Sequence, residues 1–568
     1  MMKNAKKDEE RLSADVAIIG GGPVGMAVAA TVARFGLSVV LIEQSSGTTP
    51  YSKAIGVHAI TLEKMHTLGL TDGLLAEGFP MRDYAIYENK HRTMATSFRG
   101  IATPYDFVLG LPQSRTEAHL AADLEKQGVS ILWEHKLTEI RDIGALKDPN
   151  WPAQIVVEKP DGTPMTISAS YIVGADGGRS TTRELVGIDF PGGSYGKAFL
   201  LGDVKLDWNG PRHELQFHLS KHGYLLLIPM PNGMHRVIAQ TDLKWEDFQD
   251  RHKRPEAKLG MLQDIIDTRG PGGIRAHSPE WLTAAPFYYR LASSAHRERV
   301  FLAGDAMHLV SPLGAQGLNT GFGDAFNLGW KLGFVHQGKA DVSLLDSYGA
   351  ERLKLAAGLI DITTKTTRYI TATRWWERLA RSVATSFMNP GIKVQRDLPA
   401  LLSGIRQAYD PSVLAGKMPS AAWPKPGSRA PNARLQSQSG LFESARLFHG
   451  QAFHAVFVLR RVDDMMLGQV QAEVTRLLQL GDGVRPVVVL REYGDRLPSI
   501  QGAQVLADPF ADLTGEIGTA QNASFLVRPD GVVAASCSEL DAGLTLDYFA
   551  SAPWAKPATA EKELRHVA

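Results

Sequence analysis

Two stretches of the chain place residue types at spacings that suit particular chemistry. Gly20, Gly22 and Gly25 stand as G-x-G-x-x-G after the apolar run Asp15 to Ile19, and Pro23 and Val24 open a helix to about Phe35. A second apolar run, Ser38 to Ile42, ends at Glu43 and Gln44. Glycines allow the tight turn and the close approach of backbone to a pyrophosphate, and the helix start points free N–H groups and a positive dipole end at it. An acid after the second strand takes a ribose hydroxyl, so the stretch predicts a dinucleotide site, although this pattern serves nicotinamide and flavin dinucleotides alike. The second stretch, RVFLAGDAMHLVSPLGAQGLNTGFGDAFNLGWKL, spans 299–332. Val300 to Ala303 reads as a buried strand, and Gly304 and Asp305 end it, which sets a carboxylate at the carboxyl edge where ligands of α/β sheets bind. A loop with Pro312, Gly314 and Gly317 follows. Leu318 and Asn319 then open a helix with Phe322, Phe326, Leu328 and Leu332 at helical spacing, and such a helix start favours an anionic ligand.

The elements that position these residues spread over most of the 568 positions, enough for about three to four domains. Basic and acidic residues nearly cancel, 61 against 60, and no basic stretch interleaves with aromatics, so neither nucleic acid nor a membrane is an expected partner. The amino terminus is charged and lacks an apolar signal core, and no apolar run reaches about eighteen residues, which predicts a cytoplasmic protein. Cys537 is the single cysteine, which excludes an intrachain disulfide, a CxxC pair and a thiolate metal cluster, and no metal is expected.

The 299–332 stretch resembles the GD motif of the single-component FAD-dependent aromatic hydroxylases, written GDAAH, then PP, G-x-G-x-N and DA-x-NL-x-WKL. Met307, Ser311 and Ala315 depart from it. The resemblance implies that Asp305, after Gly304, holds the ribityl chain of FAD, that Pro312 flanks the flavin ring, and that Gly317 and the backbone of Leu318 and Asn319 face its pyrimidine end. Three more segments match the family. Tyr51 to His58 corresponds to a segment where a basic residue, here Lys53 in place of arginine, lies by the cofactor, and His58 follows within reach of a substrate. Pro112-Gln113-Ser114-Arg115 matches P-Q-x-R, whose Gln and Arg contact FAD, although Arg115 also suits a surface ion pair with an acid. Asp176-Gly177-Gly178-Arg179-Ser180 matches the DG motif, whose Asp backs the pyrophosphate.

These matches imply an α/β protein with a Rossmann-like FAD-binding domain, a β-sheet substrate domain and a carboxyl-terminal thioredoxin-like α/β domain. The expected division is a disordered tail at 1–14, an FAD-binding domain at 15–190 and 298–345 with an insertion at 81–110, and a substrate sheet at 191–297. A helical segment at 346–415 follows, then a Pro- and Ser-rich linker at 416–431, the last domain at 432–556 and a tail at 557–568. All the motifs precede the linker, so the part before it is expected to bind the cofactor alone. A possible homodimer is the role expected of the last domain.

The implied activity is a monooxygenase that uses NADH or NADPH and dioxygen to hydroxylate a small phenolic aromatic substrate through a flavin 4a-hydroperoxide. YSKAIGV, HQGKADVSLLDSYGAERLKLAAGLID and RPDGVVAAS look closest to the 3-(3-hydroxyphenyl)propionate hydroxylases of the phenol-hydroxylase branch, whereas GVHAITLE is nearer the polyketide hydroxylases. A 3-(3-hydroxyphenyl)propionate-like substrate is therefore the first expectation. A polycyclic aromatic polyketide, or a flavin oxidase on the same fold, is the alternative. Strand-like alternation over 195–290 puts His218, Tyr224, Pro229, Met230, Tyr288 and Tyr289 among candidate wall residues. Pro312, His58, Tyr224 and Tyr289 are the candidate catalytic residues.

Overall fold

The strand Glu10–Ile19 lies between two parallel neighbours, Pro164–Gly174 and Val39–Glu43, and Val16, Ala17 and Ile18 at its centre are wholly buried. A parallel sheet covered on both faces has no solvent side, which is why this run is apolar without alternation. The structure, a computed structural model, describes residues 10–49, 54–248, 250, 255–311, 314–371, 392–414, 423–448, 450–492, 496–517, 522–552 and 554. The sheet continues through Ser130–Trp133 on one side and Val300–Leu302 on the other, so the strand ahead of Asp305 and the strand ahead of Gly20 are separated only by Pro164–Gly174. The helix Pro23–Arg34 packs on the long helix Gln316–His336, and glycines set the approach. A Cβ at Gly329 would lie 2.4 Å from the Thr31 side chain, and one at Gly333 would lie 2.3 Å from the Phe35 ring.

A second sheet of eight strands covers the site. One face packs on the helix Leu259–Arg269 through Leu225, Leu227, Leu262 and Ile266, and the other carries Phe199, Phe217, Leu226 and Ile228. A third sheet belongs to the carboxyl-terminal unit. There Phe453–Leu459, Val484–Leu490 and Gln504–Ala507 run parallel, while Asn522–Val527 and Val533–Cys537 form an antiparallel hairpin, with the helices Asp464–Leu478 and Gly543–Ser551 alongside.

The boundaries differ from the sequence reading in three places. Residues 10–14, expected in a disordered tail, pair with Met165–Ala169. Their polar side chains hide a strand that backbone hydrogen bonds hold. Of residues 81–110, expected as an insertion of the first domain, 83–97 belongs to the second sheet, while Val108–Gly110 pairs with Gly56–Val57 and Phe79–Met81 in a small three-stranded sheet. Asp83–Glu88 pairs in parallel with Glu214–Ser220, and His91–Ser97 completes that edge of the second sheet. Of the expected linker, 423–431 is tied down: Ala430 N donates to Gly531 O at 2.9 Å, and Arg429 pairs with the buried Glu63 at 2.9 Å. The expected helical segment at 346–415 is seen as the helices Asp346–Ile370 and Ile392–Leu402, and 372–391 lies outside the described residues. Among the described residues no helix is long and apolar enough to cross a membrane, and no group of His, Cys, Asp and Glu is placed to hold a metal ion.

Candidate functional site

A cavity of about 540 Å³ runs from the glycine turn at Gly20 to the inner face of the second sheet, within the range of small-molecule sites. At one end, Gly20 adopts φ +109°, where a Cβ would come within 2.5 Å of Ala175 O. Gly25 is equally constrained, since a Cβ there would meet Gly20 O at 2.0 Å, and this packs the helix start onto the strand end. Gly22 is different, because a Cβ there would meet nothing within 4 Å, and Gly22, Pro23 and Val24 line the cavity. Pro23–Arg34 begins with no side-chain cap and no acid in its first turn, so its free N–H groups suit a phosphate. Glu43 accepts from Gly21 N at 2.6 Å and Ser45 N at 2.8 Å, which fixes its carboxylate at the cavity beside Gln44.

The DG segment closes this end. Asp176 accepts from Ser180 Oγ at 2.5 Å, Thr182 N at 2.9 Å and Thr182 Oγ1 at 3.0 Å, so it shapes its own loop while lining the cavity. The buried Arg183 donates to Ala306 O at 3.0 Å and joins this loop to the turn after Val300–Leu302. Arg179, part of the DG motif but given no role in the sequence reading, lines the cavity as an exposed cation.

Asp305 lines the cavity from the turn Gly304–Ala306. Asp324 holds that turn. It accepts from Gly304 N at 2.9 Å, stands 2.7 Å from His308 Nε2, and takes Arg352 Nε at 2.7 Å. Burial pushes the Asp324 carboxyl up, but the neighbouring His308 and Arg352 outweigh it and keep it below the usual carboxylate value. Gln316–His336 starts at Ala315 in the left-handed region, φ +54°, again with no side-chain cap, and its Gly317 and Leu318 face the cavity.

His58 lines the cavity and is buried, with no partner for Nδ1 among the described residues. Burial lowers the imidazole to about 4, against a bond to the Gly314 backbone that favours the charged ring. Its backbone N donates to Asn319 Oδ1 at 2.9 Å.

Several expected residues stand elsewhere. Asn319, whose backbone was expected at the flavin, is absent from the cavity wall, and its side chain accepts also from Thr61 and donates to Gly56 O and Ala315 O, which pins the 56–61 segment. Gln113 does line the cavity, accepting from Ala54 N at 3.1 Å. Arg115, expected at the cofactor, forms a two-bond ion pair with Glu77 at 2.6 and 2.9 Å on the surface and is absent from the cavity wall. Tyr224 shares a face with Leu226 and Ile228 but packs beyond the cavity against Phe199, and burial pushes its phenol well above the usual range. Tyr289 packs on Tyr195 with ring centres 5.3 Å apart and His218 stacks on Tyr87, both away from the wall. Pro229, Met230 and Tyr288 are absent from the wall too. Pro312 and Lys53 lie outside the described residues.

The wall opposite the glycine turns comes from segments the sequence reading did not connect. Tyr84 and Phe98 come from the 81–110 region, Phe217, Leu226 and Ile238 from the second sheet, and Thr366, Ile370 and Leu402 from the helices beyond. Its one charged group among the described residues is Arg236, matched by Asp203 through two 2.6 Å bonds, and both are almost wholly buried. The alternating apolar residues of 214–228 were the available signal, but alternation gives a face and not a distance along it.

Residues 13–363 match the family model described as FAD binding domain. The 6-methylpretetramide 4-monooxygenase of Streptomyces rimosus is 29% identical, over 92% of this chain and 90% of its own. The 3-(3-hydroxy-phenyl)propionate/3-hydroxycinnamic acid hydroxylase of Mycolicibacterium smegmatis is 31% identical, over 63% of this chain and 62% of its own. Among solved structures, anhydrotetracycline hydroxylase from Streptomyces rimosus superposes with a TM-score of 0.72 at 27% identity, covering 96% of this chain and all of that one.

Proposed function

The chain belongs to the FAD-binding-domain family of FAD-dependent aromatic monooxygenases, and on that premise we propose that it hydroxylates a bulky, largely apolar polycyclic phenol, with NADH or NADPH as reductant. The observation that carries this reading is the wall opposite the glycine turns. Among the described residues its single cation is Arg236, already matched by Asp203. A phenylpropionate would bury a carboxylate against this wall, and an uncompensated buried charge costs several kcal/mol. Fused aromatic rings meet no such penalty and bury apolar area at about 25 cal/mol per Å². The polyketide oxygenases among the relatives support the same choice. The test is NADH and NADPH consumption with product detection over three- and four-ring phenols, 3-(3-hydroxyphenyl)propionate and simple phenols. Coupled hydroxylation of the ring systems is expected. Coupling confined to the propionate would overturn the size and charge argument, and hydrogen peroxide without hydroxylated product would favour an oxidase.

The residues fit the cofactor. The open face at Gly22 and the uncapped start of Pro23–Arg34 suit its pyrophosphate, Glu43 suits a ribose, and Asp305 with the free N–H groups at Gly317 and Leu318 suits the ribityl chain and ring. FAD, when bound, supplies the redox chemistry that activates dioxygen, and the chain supplies orientation, electrostatics and a dry cavity. The apolar wall keeps water from the reacting ring. His58, neutral at pH 7, lines the cavity and is the group proposed to accept the substrate's phenolic proton.

Asp305→Ala is expected to weaken FAD binding by about 10- to 150-fold, the equivalent of roughly 1.5 to 3 kcal/mol for a charge-assisted hydrogen bond. Flavin fluorescence titration of the apoprotein checks it, and an unchanged affinity would remove Asp305 from the cofactor site.

A further inference from the structure

The turn Arg528-Pro529-Asp530-Gly531 of the carboxyl-terminal unit projects into the seam with the cofactor domain, and its charged groups are buried there. Arg528 donates to Glu351 Oε1 at 2.5 Å and to Asp530 Oδ2 at 2.6 Å. Glu351 also takes Lys331 Nζ at 2.7 Å and Asn327 Nδ2 at 2.7 Å, and Asn327 reaches Asp530 Oδ2 at 3.2 Å. Lys64 Nζ donates to Asp530 O at 3.0 Å. One turn therefore grips three helices. Lys64 belongs to Ala59–Thr67, Asn327 and Lys331 to Gln316–His336, and Glu351 to Asp346–Ile370.

The other ends of two of these helices lie at the cavity. Ala59–Thr67 starts at His58, and Gln316–His336 starts at Ala315. The third helix passes the grip to the neighbouring cluster, because Arg352 follows Glu351 and holds Asp324, which holds Gly304 beside Asp305. Tyr409 spans the two clusters: its hydroxyl accepts from Arg352 at 2.8 Å, and its ring centre lies 5.3 Å from the Arg528 guanidinium.

We infer that the 528–531 turn is a positioning element for the cofactor site, setting the placement of the helices that present His58, Gly317 and Leu318 and of the turn that carries Asp305. An apolar seam tolerates sliding, whereas a satisfied network of directional bonds selects one arrangement. Burial draws Lys64 and Lys331 down to about 8, so both depend on the acids of the network to stay charged. Glu351 stays ionised although burial opposes it, because Arg528 and Lys331 adjoin it.

The test uses the full chain and needs no substrate, so it stands apart from the choice of phenol. FAD dissociation constants and the visible circular dichroism of the bound flavin are measured for Arg528→Met, Arg528→Lys and Val488→Ala. Val488 is buried in the same unit on Val484–Leu490, a strand separated from Asn522–Val527 by Phe453–Leu459, and serves to lower stability alone. Arg528→Met is expected to weaken FAD binding at least about 5-fold, the lower end of ordinary coupling between sites, and to alter the flavin dichroism. Arg528→Lys is expected to restore part of both, and Val488→Ala to lower the melting temperature with FAD affinity unchanged. If Arg528→Met does not fold, Asp530→Asn takes its place with the same expectation. Wild-type affinity and dichroism in the substituted turn, or an equal loss of affinity in Val488→Ala, would overturn the inference.

Discussion

A chain ending at Pro431 is expected to yield no soluble, flavin-bearing protein, although every cofactor motif precedes that residue. Two kinds of loss combine. Trp330 and Phe334, buried on the long helix, lose Phe453, whose ring centre lies 5.7 and 5.6 Å from theirs. Re-exposing such rings costs about 1.5 to 3 kcal/mol each. Glu351 loses Arg528, and stripping a partner from a buried charge costs about 3 to 5 kcal/mol. Asp341 N loses its bond to Trp554 O at 2.7 Å as well. The sum rivals the roughly 5 to 15 kcal/mol by which domains are stable. Soluble yield and visible absorbance after purification check it. A soluble truncated chain with full flavin occupancy would show that the first two sheets stand alone, as the sequence reading has it.

His58→Gln is expected to lower kcat by about 100-fold or more, the lower end for loss of a general base, with flavin content unchanged. Glutamine can keep a bond to the Gly314 backbone but cannot take the proton. The pH dependence follows from the direction of the shift. An imidazole lowered to about 4 is unprotonated at every pH above that value, and its acceptor form is lost as pH falls through it. Between about pH 6 and 8 the wild-type rate should therefore show no inflection from His58, whereas an ordinary exposed histidine would titrate near 6.5. A variant with wild-type kcat, or a wild-type inflection near 6.5 that vanishes in His58→Gln, would assign the proton transfer or the ring's environment differently.

The site residues that were legible share a local cause. Gly20 and Gly25 must be glycine because backbone atoms lie where a Cβ would sit, and Glu43 is reached through one helix and one strand of ordinary length. Asp305 is set by the strand end just before it. Arg115 was equally visible in its motif, yet its partner Glu77 lies 38 positions away on another helix, and that distant acid turns it to the surface. Tyr224 had the correct face and the wrong distance along its strand, and its ring packs on Phe199 from a different strand.

The sequence by itself determined the dinucleotide fold and the cofactor turns, because strand period, helix starts and left-handed glycines are properties of a few consecutive residues. Only the tertiary structure decided the substrate wall, where Tyr84, Phe217, Ile238 and Ile370 converge from four separate segments, and the clamp in which Arg528 meets Glu351 across 177 positions. Such contacts depend on how sheets and helices pack against one another, and side chains paired across that packing leave no pattern in the neighbouring sequence.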